Sequence, residues 1–433
     1  MVSAGNTVLV PVKTGASDGF EVVAFQGPSR IYALTTDYTL PPAGWIPPYG
    51  PVLAGTRLYY PGAGGTVYFR DNVDSATGTI GQIAFYGINV YRNHPAMFNK
   101  HVIVSTPLVA DSAGNIYFGF LVTGANPAKL VSGIARIDGT TGLGSWVSAT
   151  AAAGGDSSIV QVQTNCAPAV SNDQATIYVA VSNGATYGSG YLVSLKAADL
   201  TPVRQVKLYD PRGGAATLSS DSSATPMVGP DGDVYYGVLE NPCCSSHNDR
   251  GWLLHFSGNL KTSKTPGSFG WDATSSVVPV AAVPSYTGTS TYLIMNKYNN
   301  YVRIGTGDGV NKLALLDPGS TQLDEYSSTP VTVMKEIFTL TGVTPEPKPK
   351  FPNAVREWCI STAAISIDPG THTASVIANS EDGVVYRWDL NTNTVSQSLR
   401  LTPGRSEAYT PSVIGVDGTV YVINDAILFA VGN

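Results

Sequence analysis

Charge is what this 433-residue chain has least of: Asp, Glu, Lys and Arg make up 13% of it, and 25 basic against 31 acidic residues leave a net charge of −6. No basic stripe is available to neutralise phosphates, which argues against a nucleic-acid partner. Long apolar runs are missing too, and none approaches the roughly 18 residues of a membrane span. The opening "MVSAGNTVLVPV" lacks the charged-then-apolar pattern of a signal peptide. Any export signal is therefore expected to be absent from this sequence. No N-x-S/T acceptor occurs anywhere, which leans towards a bacterial over a eukaryotic secretory origin. Five histidines without H-E-x-x-H or H-x-H spacing speak against a zinc enzyme, and no metal site is expected. "GTGDGV" at 305–310 reads as a turn because no helix follows it.

What is abundant instead is glycine (46), proline (29) and tyrosine (23), with 43% hydrophobic residues to fill a large core. Such a composition fits a secreted or periplasmic β protein better than a helical cytosolic enzyme. One phrase recurs: "TPLVADSAGNIYFGF" from Thr106, "APAVSNDQATIYVAV" from Ala167, "TPMVGPDGDVYYGVL" from Thr225 and "TPSVIGVDGTVYVIN" from Thr410. Each is a short apolar strand entered by proline, a polar turn, and an aromatic-rich strand. A third strand follows, such as "GIARIDGTTG" or "GWLLHFSGN", and then a fourth, such as "PVRQVKLYD". Four antiparallel strands over roughly 50–60 residues, repeated, predict the blades of a β-propeller. Degenerate copies from Gly50, around "VVPVAAVPS", around "CISTAAISID" and at the N-terminus bring the inner strands to eight. Seven is the alternative if an N-terminal strand completes the last blade. The expectation is one all-β propeller domain over 1–433 with few helices, and a Pro-rich surface excursion at 335–358 carrying prolines 345, 347, 349 and 352.

The pattern "TP-x-V…DG-x-VY-x-G…L-x-x-x-D…TG…W" resembles the quinoprotein (PQQ-type) β-propeller repeat, whose blades often lock through a tryptophan after the third strand. "IARIDGTTGLGSW", ending at Trp146, matches that element, and "IYALTTDYTLPPAGW", ending at Trp45, matches in part. The resemblance spans nearly the whole chain as a fold signal, but the repeat also builds non-catalytic scaffolds in bacterial envelopes. Function has to be argued from the site.

The four cysteines, Cys166, Cys243, Cys244 and Cys359, allow three disulfide connectivities. Cys243 and Cys244 are adjacent, in "ENPCCSSHNDRGW". Neighbouring Cα atoms stand roughly 3.8 Å apart across a trans peptide, below the usual disulfide range, so a bond there requires a distorted peptide. It would form a small, rigid, apolar plate. Quinoprotein alcohol dehydrogenases are similar here: they set such a plate against the cofactor ring, with Asn-Arg-Gly after a short spacer. This chain has an Asp between Asn248 and Arg250, and its pair falls between strands two and three of a blade, not before an inner strand. The resemblance implies PQQ with calcium. The plainer reading is a staple that stiffens a long loop, and free thiols or ordinary pairing stay open.

Propeller geometry gathers scattered positions on one face. Ligand-binding candidates there are Cys243, Cys244, His247, Asn248, Arg92, Asn299, Glu407 and Tyr409. Proton-transfer candidates are His94 and His101, in the loop "NVYRNHPAMFNKH" before blade three, with Lys297, Tyr298 and Arg250, a set suited to polysaccharide lyase chemistry beside a carboxylate. The amide- and tyrosine-rich "NKYNNY" suits sugar, since rings stack on sugar faces and amides bind hydroxyls. The leading expectation is an exported monomer that binds a small molecule, carbohydrate or protein on that face. The alternatives are an enzyme, either dehydrogenase or lyase, and an envelope assembly scaffold.

Overall fold

A computed structural model describes residues 2–15, 19–42, 47–220, 222–404 and 412–432. It is an eight-bladed β-propeller. Blade one holds Val2–Ala4, Thr7–Lys13, Phe20–Gln26 and Ser29–Thr36. Because Val2 pairs with Leu9 inside this sheet, the N-terminal strand does not complete the last blade, and the seven-blade alternative falls away. Blade two runs from Val52–Ala54 to Ile80–Ala84 and blade three from Val102–Val104 to Gly144–Ser148. Blade four spans Gln161–Val162 to Pro202–Lys207, and blade five Met227–Val228 to Ser263–Gly267. Blade six spans Ser276–Pro279 to Thr332–Thr341, and blade seven Ala364–Ile367 to Thr394–Arg400. Blade eight has three strands, Val413–Ile414, Val420–Asn424 and Ile427–Val431.

The second and third strands of most blades are largely buried on both faces, because each sheet is packed between two others; the third strand of blade eight is the exception. In blade five, Val234–Val238 and Trp252–Phe256 are buried at every position. The core is accordingly a ring of patches between neighbouring blades, each of the kind that strongly twisted stacked sheets provide. Ile377 and Val385 meet Val422 between blades seven and eight. Val8 and Val10 meet Tyr421 between blades one and eight, which closes the ring through side chains. Hydrogen bonds between inner-strand entrances add a second belt. Asn165 donates its N–H to the Ser105 carbonyl (2.9 Å) and its side-chain amide to the Ser222 carbonyl (3.2 Å). Thr274 donates its N–H to the Ser361 carbonyl (2.8 Å).

Three expectations need adjustment. Lys335–Thr341 belongs to the outer strand of blade six, where "KEIFTLT" alternates as strands do, so the excursion starts only at Gly342. Its prolines then lie in a loop pinched by a Pro345–Val355 bridge. "NVYRNHPAMFNKH" is two short helices, Ile88–Asn93 and Pro95–His101, and not a loop. Pro95 opens the second helix, and Phe98, stacked on Tyr86 (4.4 Å), buries its inner side. Trp146 is 36% exposed and packs edge-on against Phe120 of its own blade, while Trp45 lies outside the described residues. Among the described residues, no helix is long and apolar enough to cross a membrane.

Candidate functional site

The loop between strands two and three of blade five, 239–251, is built around one buried carboxylate. Glu240 is fully buried and accepts the N–H groups of His247 (3.2 Å), Asp249 (2.8 Å) and Gly251 (2.9 Å). Three donors that no strand satisfies are thereby paired, which is what a buried turn requires. The turn is tight: Asn248, Asp249 and Gly251 all have φ near +60° (58°, 59° and 58°). Asn and Asp tolerate that region better than most side chains.

Neighbouring loops brace it on both sides. From blade four, Arg212 pairs with Asp210 (2.8 Å) and donates to the Ser246 carbonyl (2.6 Å). From blade six, Asn300 accepts the Asn248 amide (2.9 Å), and Thr306 donates its N–H back to Asn248 (2.8 Å). Gly305, at φ +57°, abuts the Ser245 carbonyl and Asn248 so closely that a side chain would collide. His247 stacks on Trp252 (3.9 Å between centroids) with Nε2 3.0 Å from Asp324. The Arg250 guanidinium donates to the carbonyls of Tyr298 (3.2 Å), Ser268 (2.8 Å) and Asn299, and lies over the Tyr326 ring (3.8 Å).

On this frame sit Cys243 and Cys244, joined in a disulfide across a cis peptide and partly exposed. The Asp249 carboxylate and both sulfurs lie within 4.8 Å of one another. Burial pushes Asp249 up to about 7, and the charges of Glu240 and Asp272 push the same way. Asp272 is itself raised by burial, against the pull of Lys297 at 3.1 Å. The result is an apolar plate beside a carboxyl that changes protonation near neutrality.

The other predicted residues are placed as follows. His94 and Arg92 are exposed on the helices between blades two and three, and His101 is half-buried beside Thr123 (3.5 Å). Lys297 is buried against Asp272, and Tyr298 is buried with its hydroxyl accepting the Ser268 N–H (2.9 Å). The Asn299 amide exchanges hydrogen bonds with the Trp358 backbone (3.3 Å each way). Glu407 and Tyr409 lie outside the described residues. Cys166 and Cys359 remain buried thiols, and burial pushes Cys166 up to about 12. The structure thus brings together Cys243, Cys244, His247, Asn248, Arg250 and Asn299, but turns the last four into scaffold. Asp249 and Glu240 were not foreseen as site residues. The signal for Asp249 was its insertion into the Asn-Arg-Gly pattern. Glu240, next to a proline at the end of a strand, carried none.

A quinone tricarboxylate with calcium needs available cationic and amide donors and ionised carboxylates. Arg250 and Asn248, offered by the resemblance, are spent on protein groups, and Asp249 is held towards its neutral form. These residues do not fit PQQ with calcium.

No family model matches the chain, and no curated protein matches it in sequence. Solved structures do resemble it in fold. A europium-containing methanol dehydrogenase superimposes over 97% of this chain and 80% of its own, at TM-score 0.54 and 8% identity. Sqt1 of Saccharomyces cerevisiae does so over 99% and 94%, at TM-score 0.55 and 10% identity. BamB from Moraxella catarrhalis matches over 98% and 97%, at TM-score 0.48 and 10% identity. At such identities the likeness is one of fold.

Proposed function

We propose that this propeller is an exported binding protein whose face at blades five and six takes a neutral carbohydrate. The observation that supports the reading is the partly exposed Cys243–Cys244 plate with the Asp249 carboxyl within 4.8 Å. A flat apolar surface suits the C–H face of a sugar ring, and a carboxyl near neutrality both donates to and accepts from hydroxyls. The Glu240 anchor holds plate and carboxyl in place before a ligand arrives, which lowers the ordering cost of binding. A disulfide of this kind persists in oxidising compartments, which supports export together with the low charge content.

Isothermal titration with neutral and uronate-containing oligosaccharides tests the reading. Neutral sugars should bind, Asp249→Asn should weaken them about tenfold, and Cys243→Ser with Cys244→Ser should abolish binding. Uronates should lose affinity as pH rises through about 7, because ionised Asp249 then repels their carboxylate. Binding that ignores all three substitutions would overturn the proposal.

A further inference from the structure

One reactive pair that the sugar reading does not use is a buried lysine and carboxylate. Between the last strand of blade five, Ser263–Gly267, and the first of blade six, Ser276–Pro279, the chain carries Asp272 in a link. Its Oδ2 stands 3.1 Å from Nζ of Lys297, on the second strand of blade six, Tyr292–Tyr298. The two other lysine–carboxylate pairs among the described residues leave the lysine in water: Lys264 beside Asp233 is 42% exposed, and Lys348 beside Glu346 is 37% exposed. Here the lysine side chain is 1% exposed and the aspartate 3%. The Phe269 ring lies 5.7 Å from Nζ and helps to wall the pair off.

Charges are poorly served in so dry a place. Taking an ammonium and a carboxylate out of water is costly, and their attraction offsets that cost only in part. Passing one proton from Nζ to Oδ2 along the hydrogen bond removes both charges and leaves an amine facing a carboxyl group. The amine nitrogen is then a nucleophile held against Cγ. Ser223 donates its hydroxyl to the other oxygen, Oδ1 (3.2 Å), so the atom that takes up negative charge during attack already has a donor. Fixed contact of this kind makes a condensation that is slow between free molecules effectively unimolecular.

We propose that Lys297 and Asp272 are joined by an amide bond that the folded chain forms by itself. Nζ bonds to Cγ and the Cγ–Oδ2 bond breaks. Oδ2 leaves as water, carrying the proton passed to it first and a second one from the nitrogen. No oxidant and no outside reagent enters the step. The residues are 25 apart in sequence, so the bond closes a loop that persists when the protein unfolds. That restricts the unfolded state as a disulfide does, in a form that thiols do not cut. The amide also takes the Asp272 charge away from Asp249, which burial and Glu240 continue to raise.

Mass spectrometry of the full chain, denatured and reduced, tests the bond. The native protein should be lighter than its sequence by one water. Proteolysis should release a branched peptide that joins the segment around Asp272 to the segment around Lys297. Asp272→Ala and Lys297→Met should each keep the full mass of their sequences. The branch is the deciding feature, because dehydration at an Asp–Gly step such as Asp231–Gly232 changes the mass equally without one. A native chain of full sequence mass, which means an ordinary ion pair, overturns the proposal whether or not the variants fold. So does water lost without a branch, or a branch that survives either substitution.

Discussion

Two regions of this molecule carry residues suited to proton chemistry, and they differ in what those residues touch. The helices Ile88–Asn93 and Pro95–His101 display Arg92, His94 and Lys100 to solvent with few partners. The loop 239–251 takes His247, Asn248 and Arg250 inward and satisfies each with buried protein groups. The plate and Asp249 stay partly exposed there. Residue type sets what a side chain can do, while burial and hydrogen-bond partners decide whether it is available. In the loop, the polar residues with the strongest chemistry are the ones consumed in holding the weaker-looking pair in place.

That contrast can be broken experimentally. The largest effect is expected from Glu240→Ala, which strands three buried N–H donors and should cost about 3 kcal/mol or more in denaturant unfolding. An unchanged midpoint would mean that the loop does not depend on its anchor. Next comes Asp249→Asn. The carboxyl ionises near 4 in the unfolded chain and at about 7 in the folded one, so the folded state holds the extra proton between those values. Stability should therefore fall as pH rises from about 4 to about 7, and the substitution should flatten that slope in thermal melts. Asp324 has the opposite sign. Burial would raise it, but the hydrogen bond and charge of His247, with Ser268 and Ser327, prevail and hold it at about 2. The stability it contributes is present above about 4 and lost as pH falls towards about 2, a loss that Asp324→Asn should remove. The smallest change belongs to the other region: His94→Ala should alter stability by no more than about 0.5 kcal/mol and leave sugar binding intact.

Much of the fold was legible because a propeller repeats its local grammar. A proline before several of the short inner strands, a polar turn and an aromatic strand mark those blades without reference to anything distant, and Pro107, Pro168 and Pro226 stand where that grammar puts them. The helices were misread because the two buried aromatics Tyr91 and Phe98 are their main signal, and a seven-residue spacing in a polar stretch is thin. The cysteine pair was legible as a plate or staple, but its carboxyl partner was not. Asp249 is raised first by its burial in the packed loop, and then by the charges of Glu240, nine residues back, and of Asp272, beyond the last strand of blade five.

Taken by itself, the sequence determined the architecture, the number of blades to within one, and the adjacency of Cys243 and Cys244. These depend on alternation, turn chemistry and covalent order, all of which are local. Only the tertiary structure decided that Arg250 and Asn248 are spent on protein groups and that Asp249 is the partly exposed carboxyl beside the cysteine pair. Those outcomes depend on burial and on partners tens of residues away, such as Asn300 for Asn248 and Tyr298 for Arg250. Desolvation and hydrogen-bond satisfaction are properties of a packed site, and no window of sequence contains them.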